Sequence, residues 1–131
     1  MDKIVIADTD VIIDFFSGTD PAASTVETLI LQDKLALTSI TVFELYAGVA
    51  GKKRIKQIDD LTSILPVFSF EEKHAGASAK IYNALKKSGD LIGNQDILIA
   101  GICVTHDIPI YTRNISHFSR ISQLRIFSTH P

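Results

Sequence analysis

The chain has one cysteine in 131 residues, Cys103, and that scarcity excludes a disulfide framework, a cysteine-based zinc site and a redox pair. Long apolar runs are missing too. The longest, Ile97 to Val104, is far too short to span a bilayer, and no basic, apolar, small-residue leader opens the sequence. The expectation is a soluble cytoplasmic protein with no membrane partner, in which Cys103 packs as a small apolar residue. Net charge is slight, -2 from 13 basic and 15 acidic side chains, whereas dedicated nucleic-acid binders are usually strongly basic. Near-neutrality does not exclude such a partner, because acids gathered around divalent cations leave the loaded protein neutral or slightly positive. No internal repeat and no low-complexity segment is present.

What is present is an ordinary globular composition, 46% hydrophobic and 21% charged, in a chain long enough to bury roughly two-thirds of its unfolded surface. It is organised around Lys3 to Asp14. Ile4, Val5 and Ile6 are β-branched and continuous, which suits a strand covered on both faces. Asp8 follows at the strand's carboxyl end, the edge at which open α/β sheets bind ligands.

Asp10 is placed to cap a short helix through Phe16 that Ser17 and Gly18 end; Pro21 opens a second helix, and Lys34 to Thr38 is a strand. A third helix, Val42 to Val49 started by Ser39 or Thr41, and a fourth from Lys52 with the apolar stripe Ile55, Ile58, Leu61 and Leu65 form a hairpin. Pro66 to Phe68 is a brief strand. Ser69 with Glu72 makes a capping box for a long helix that Gly89 ends. Ile97 to Val104 is apolar throughout; helix is preferred to strand because Asn94 offers an N-cap, Asp96 suits a first turn, and the strand Ile108 to Thr112 needs a helical crossover before it. A helical turn, Ile115 to Arg120, and a strand, Leu124 to Phe127, complete the order βααβααβααβαβ. That order calls for an α/β fold, one domain over residues 1–131, with a mainly parallel central sheet of about five short strands flanked by helices on both faces.

Three acids fall at strand ends or helix starts on what should be one sheet edge: Asp8, Glu44 and Asp96. Each has a structural explanation when taken singly. Asp8 or Asp10 can cap a helix, Glu44 can close a capping box with Thr41, and Asp96 can complement a helix dipole. Together they read differently, because converging carboxylates without basic partners repel one another unless cations neutralise them. Carboxylate oxygens, with no Cys or His cluster competing, suit hard ions, Mg²⁺ or Mn²⁺.

On these residues the chain resembles the PIN domains, and within them the small VapC-type toxins of bacterial and archaeal toxin-antitoxin pairs. The resemblance covers nearly the whole length. It rests on Ile6-Ala7-Asp8-Thr9-Asp10-Val11-Ile12-Ile13, on Phe43-Glu44-Leu45-Tyr46-Ala47-Gly48, on Ile92-Gly93-Asn94-Gln95-Asp96-Ile97-Leu98-Ile99-Ala100, and on Tyr111-Thr112-Arg113-Asn114-Ile115-Ser116-His117-Phe118. What it implies is a PIN-like domain and a hydrolase, a magnesium- or manganese-dependent endoribonuclease with Asp8, Glu44 and Asp96 as metal ligands. It implies further an RNA substrate, a VapB-like antitoxin that covers the site, and a homodimer. Asp10 stands where the family shows Asn or Asp and is expected to orient Asp8 or cap the helix. Thr112 is a candidate to hold a water or phosphate oxygen through its hydroxyl, and Arg113 to meet phosphate.

The chain departs from the family pattern near its end, with Asn114 and His117 where many members place a fourth acid. That puts a second metal site in doubt. Asn114 can offer a carbonyl oxygen, and His117 can bind Mn²⁺, contact phosphate or pack beside Phe118. Asp90 is a candidate for the rim. Lys52, Lys53, Arg54 and Lys56 can contact phosphate or form the wet face of a helix, and Phe15, Phe16, Phe43 and Tyr46 can line an antitoxin groove or pack in the core. Two other readings stand beside the nuclease. Asp8-Thr9-Asp10-Val11-Ile12 matches the opening of haloacid-dehalogenase-like phosphatases, with Gly89-Asp90 to Asp96 imitating their late acidic motif, and the same PIN fold can serve as a catalytically weak binding module.

Overall fold

Strand β1 (Val5–Ala7) is buried along its whole length because a strand flanks it on each side. β2 (Leu35–Thr38) pairs with it in parallel through Val5–Leu35 and Ile6–Ala36, and β4 (Ile110–Tyr111) through Ile6–Ile110 and Ala7–Tyr111. β3 (Val67–Phe68) joins the outer side of β2, so the sheet has the order β3-β2-β1-β4 and is parallel throughout. The computed structural model describes residues 3–129; residues 1, 2, 130 and 131 of the expected domain range lie outside them. The fifth strand, expected from Leu124 to Phe127, is reduced to a single parallel bridge between Ile126 and Ile110. β4 is only two residues long and follows Pro109, so its outer edge offers one register position, held by Ile110 N–H to Arg125 O at 3.0 Å and Phe127 N–H to Ile110 O at 2.7 Å.

Helices cover both faces, and alternation along the strands shows it. Ile6 and Ala36 point into one core with Leu85, Ile99, Ile102 and Phe118. Val5, Ala7, Leu35 and Leu37 point into the other with Val11, Ile12, Val26 and Leu45. The first core is roofed by α5 (Glu72–Ser88), α6 (Asn94–His106) and the one-turn α7 (Ile115–Phe118). The second is roofed by α1 (Thr9–Ser17), α2 (Ala22–Leu31), α3 (Ser39–Ala47) and α4 (Lys52–Ile64). Among the described residues no helix is long and apolar enough to cross a membrane.

The caps of α1 and α3 sit earlier than the spacing suggests because β1 and β2 turn straight into helices. Asp8, not Asp10, is the N-cap of α1. Thr38 is at once the last residue of β2 and the cap of α3, its Oγ1 accepting from Thr41 N–H at 3.2 Å. α6 likewise starts one residue early, with Gly93 at the N-cap and Asn94 already helical. At α5 the expected Ser69–Glu72 box is replaced by Glu71, whose N–H donates to His74 Nδ1 at 2.8 Å. Ser69 lies outside the helix, where Phe70 N–H is tied to Ser39 Oγ at 3.0 Å.

α5 and α6 meet through small residues. A Cβ on Gly101 would stand 1.9 Å from Ser78 Oγ and 3.0 Å from the His74 carbonyl oxygen, and Ser78 Oγ also donates to Ile97 O at 3.1 Å. Gly101→Ala is therefore expected to cost about 1–3 kcal/mol by overpacking, more than the ~1 kcal/mol it gains in helix propensity. Urea unfolding should show a lower midpoint at unchanged slope, and Ser78→Ala in the same chain should restore part of the loss.

Candidate metal centre

Because strands turn directly into helices, the carboxyl edge of the sheet collects side chains from the first turns of α1 and α6, the middle of α3 and the segment after β4. Asp8, Thr9, Asp10, Ile13, Glu44, Asp96, Arg113 and Asn114 line one open pocket of about 440 Å³ there. The three acids singled out from the sequence thus share a pocket, with Asp10 as a fourth. Asp90 does not line it, and neither does any lysine. The phosphatase reading draws its late acids from Gly89-Asp90 to Asp96, of which only Asp96 lines the pocket, and it needs in addition a lysine to neutralise a phosphoryl intermediate.

Asp8 is 5% exposed. Its Oδ1 accepts from Thr9 N–H at 2.8 Å and its Oδ2 from Thr112 Oγ1 at 2.7 Å, while its own N–H is fixed to Tyr111 O. The Thr112 hydroxyl accepts from Asn114 N–H at 2.9 Å, so its single proton is committed to Asp8, with Asp10 Oδ2 a longer neighbour at 3.4 Å. Thr112 therefore acts on Asp8 in this structure, orienting it. Asp10 Oδ2 accepts from Arg113 N–H at 3.1 Å. Asp10 Oδ1 is buried with no hydrogen-bond partner among the described residues.

Glu44 Oε1 accepts from Thr9 Oγ1 at 2.7 Å, and that hydroxyl also lies 3.2 Å from Thr41 Oγ1. Thr9 is the site residue that sequence reasoning missed. Its signal was slight, a hydroxyl between two acids, and its partner lies 35 residues away. Asp96 Oδ2 accepts from Asn114 Nδ2 at 3.3 Å. Asn114 Nδ2 also lies 2.7 Å from His117 Nδ1, which is 3.7 Å from Asp96 Oδ2, too long for a hydrogen bond of its own. An amide thus holds Asp96, with an imidazole behind it. Arg113 pairs through Nε with Asp14 Oδ2 at 3.1 Å and lies 4.0 Å from Asp10 Oδ2. Asp14 thereby holds the one cation that lines the pocket.

Electrostatics sharpen the picture. Burial, and next the charge of Asp10, push the Asp8 carboxyl up from 3.8 to about 7, against the hydrogen bonds from Thr112 and Thr9. Asp10 and Asp96 are raised as well, in both cases chiefly by burial. Among the described residues no three His, Cys, Asp or Glu side chains already stand in chelating geometry; hydroxyl and amide donors hold Asp8, Glu44 and Asp96 in their present places. The donor set still fits a hard divalent cation. Its acids are acceptor-only when ionised, burial raises Asp8, Asp10 and Asp96, and one buried oxygen, Asp10 Oδ1, has no hydrogen-bond partner among the described residues.

A family model described as "PIN domain" matches residues 5–124. The chain is 34% identical over 96 residues to ribonuclease VapC2 of Haemophilus influenzae, covering 70% of this chain and 73% of that protein. It is 36% identical over 104 residues to ribonuclease VapC3 of Methanocaldococcus jannaschii, covering 78% and 98%. Two solved structures are close in shape. VapBC-1 from nontypeable H. influenzae superposes with a TM-score of 0.79 at 30% identity, covering 95% of this chain and 97% of that one. VapBC2 from Rickettsia felis, bound to a DNA fragment from its promoter, superposes at 0.83 with 26% identity, again covering 95% and 97%.

A carboxyl group raised in the folded state contributes stability that is full below its unfolded value, near 3.8, and lost as pH rises through about 7. Asp8→Asn should thus raise the stability of chelator-treated protein at pH 8 by roughly 2–4 kcal/mol relative to the parent, with the gain vanishing near pH 4. His74, lowered by burial and by His106, has the opposite dependence: its contribution is full above its ordinary 6.5 and falls as pH drops. It is present in both proteins and cancels in the difference. Urea unfolding of the pair across pH 4–8 measures this.

Proposed function

The chain belongs to the PIN-domain family, and from that premise we propose that it is a Mg²⁺- or Mn²⁺-dependent endoribonuclease, the toxin of a VapBC-like toxin-antitoxin pair, with Asp8, Glu44 and Asp96 holding the cation. The observation that carries the reading is the single pocket in which acids from β1–α1, α3 and α6 meet beside an unsatisfied buried oxygen of Asp10. A divalent cation held there supplies the charge that makes a water acidic enough to attack a phosphodiester near neutral pH and that offsets charge on the phosphoryl oxygens. The chain's own residues do the rest. Thr112 and Thr9 fix the orientation of Asp8, Thr9 fixes Glu44, and Asn114 fixes Asp96. Arg113, anchored by Asp14, meets the phosphate of the RNA. No nucleophilic serine or cysteine is required, and Cys103 is buried and inert, its thiol pushed above the ordinary range by burial.

The same reading gives the protein a cytoplasmic location, a homodimeric state, one PIN-like domain over residues 1–131 and a VapB-like antitoxin. For the antitoxin, Phe15 and Phe16 line an apolar groove of about 510 Å³ with Leu31 and Ile64, the last two 78% and 65% exposed. Phe43 and Tyr46, also exposed, lie outside that groove.

Purified protein with Mg²⁺ or Mn²⁺ should cut RNA internally, and chelator should stop it. Asp8→Asn and Asp96→Asn should each slow cleavage by roughly 10²-fold or more. Undiminished cleavage by either variant contradicts the mechanism, and hydrolysis of a phosphate monoester without any RNA cleavage would assign the site to a phosphatase. Sequencing the RNA ends produced after brief induction of parent and Asp8→Asn proteins identifies the substrate.

A further inference from the structure

The acid pocket does not end at Glu44. Ile13 and Glu44 are shared with a second, narrower pocket of about 270 Å³ between α1, α3 and the start of α4, whose other walls include Phe16, Leu45, Val49 and Arg54. Ile13, on the lip between the two, is 49% exposed, a large apolar side chain that neither core absorbs.

Arg54 is held in place at this annex. Its Nη1 donates to Gln57 Oε1 at 2.8 Å, its Nη2 to Ser17 Oγ at 3.2 Å, and its guanidinium carbon lies 5.6 Å from the centre of the Phe16 ring. All three partners are neutral, and none of the ion pairs among the described residues includes Arg54. Lys52 and Lys53 precede it in the first turn of α4, which contains no acid. The annex therefore joins apolar walls to a positioned positive charge that is in no ion pair among the described residues, and it is continuous through Ile13 and Glu44 with a pocket in which a phosphodiester would be cut. A flat apolar body bearing an anion on each side fits that order of features. A nucleotide within a single strand is such a body, since a base stacks on apolar side chains while arginine takes the phosphate.

We propose that the annex holds the nucleoside next to the cleaved phosphodiester, its base against Ile13, Phe16 and Val49 and its far phosphate on Arg54. The proposal rests on the nuclease reading for its substrate class and adds to it a subsite that contacts the RNA beyond the acids. The annex faces the base with no side chain suited to reading its edge, apart from Glu44, so contact there favours single-stranded RNA through stacking more than it selects one base.

Nucleoside 3′,5′-bisphosphates are the smallest probes with both phosphates and a base. Isotope-labelled protein titrated in Mg²⁺ with the four common bisphosphates should show saturable shifts of the Ile13, Phe16, Val49 and Arg54 amides, and inorganic phosphate alone should produce much weaker ones. Arg54→Gln should weaken bisphosphate binding about tenfold, the loss expected for one charge-assisted contact, with the amide spectrum away from the annex unchanged. Val49→Glu, which narrows the annex and adds a negative charge, should weaken it without touching Arg54. Annex amides that respond to no bisphosphate, or both variants binding as the parent does, overturn the proposal. The titration needs no catalysis: loss of annex binding with RNA cleavage intact removes the annex alone, whereas cleavage that survives Asp8→Asn removes the nuclease reading and leaves the titration to decide the annex.

Discussion

Asp8 ends a strand buried on both faces, so the packing that makes the sheet also takes its carboxyl group out of water. That coupling organises the molecule. β1 sits between β2 and β4, its carboxyl end passes directly into a helix, and Asp8 at that junction accepts from the Thr9 N–H. The same position faces Asp10 and Asp96, whose charges add to the burial that raises Asp8 to about 7. A cap would serve as well with Asn or Ser and without this cost. The acids are thus more costly than the fold requires, which is the usual mark of a site kept for chemistry.

Around that strained centre the supporting side chains are hydroxyls and amides rather than bases. Thr112 gives its proton to Asp8 and takes one from Asn114, and Thr9 ties α1 to Glu44 on α3. These contacts orient the carboxylates without neutralising them. The one guanidinium that lines the pocket is drawn aside by Asp14, one turn along α1 from Asp10. Negative charge is therefore preserved where a cation is wanted, and positive charge is placed at the margin, on Arg113 and on Arg54, where an RNA strand would run.

Much of this could be read from the chain because local and global signals agree. Continuous β-branched residues in β1, the alternation of strand and helix, and acids in the segments that follow β1, follow β2 and precede β4 all indicate a parallel sheet with its site at one edge. The elements misread are those whose limits depend on partners far away in sequence. The last strand shrinks to one bridge because β4 is too short to receive it. α5 begins at Glu72 rather than near Ser69 because Phe70 is held by Ser39 across the sheet edge. Thr9 was invisible as a site residue for a similar reason: its hydroxyl has meaning only once α3 brings Glu44 within 2.7 Å. Asn114 and His117 are a departure in sequence that proves local in effect, since both gather at Asp96.

Burial and neighbouring acids disfavour the charged form of Asp8, and a divalent cation beside it would relieve that cost. Carbon-detected NMR titration of the Asp8 carboxyl, with chelator and then with Mg²⁺, tests it most directly. The expected result is a midpoint near 7 in chelator and a fall to the ordinary carboxylate range or below once Mg²⁺ is present. A carboxyl that titrates near 4 under both conditions contradicts it.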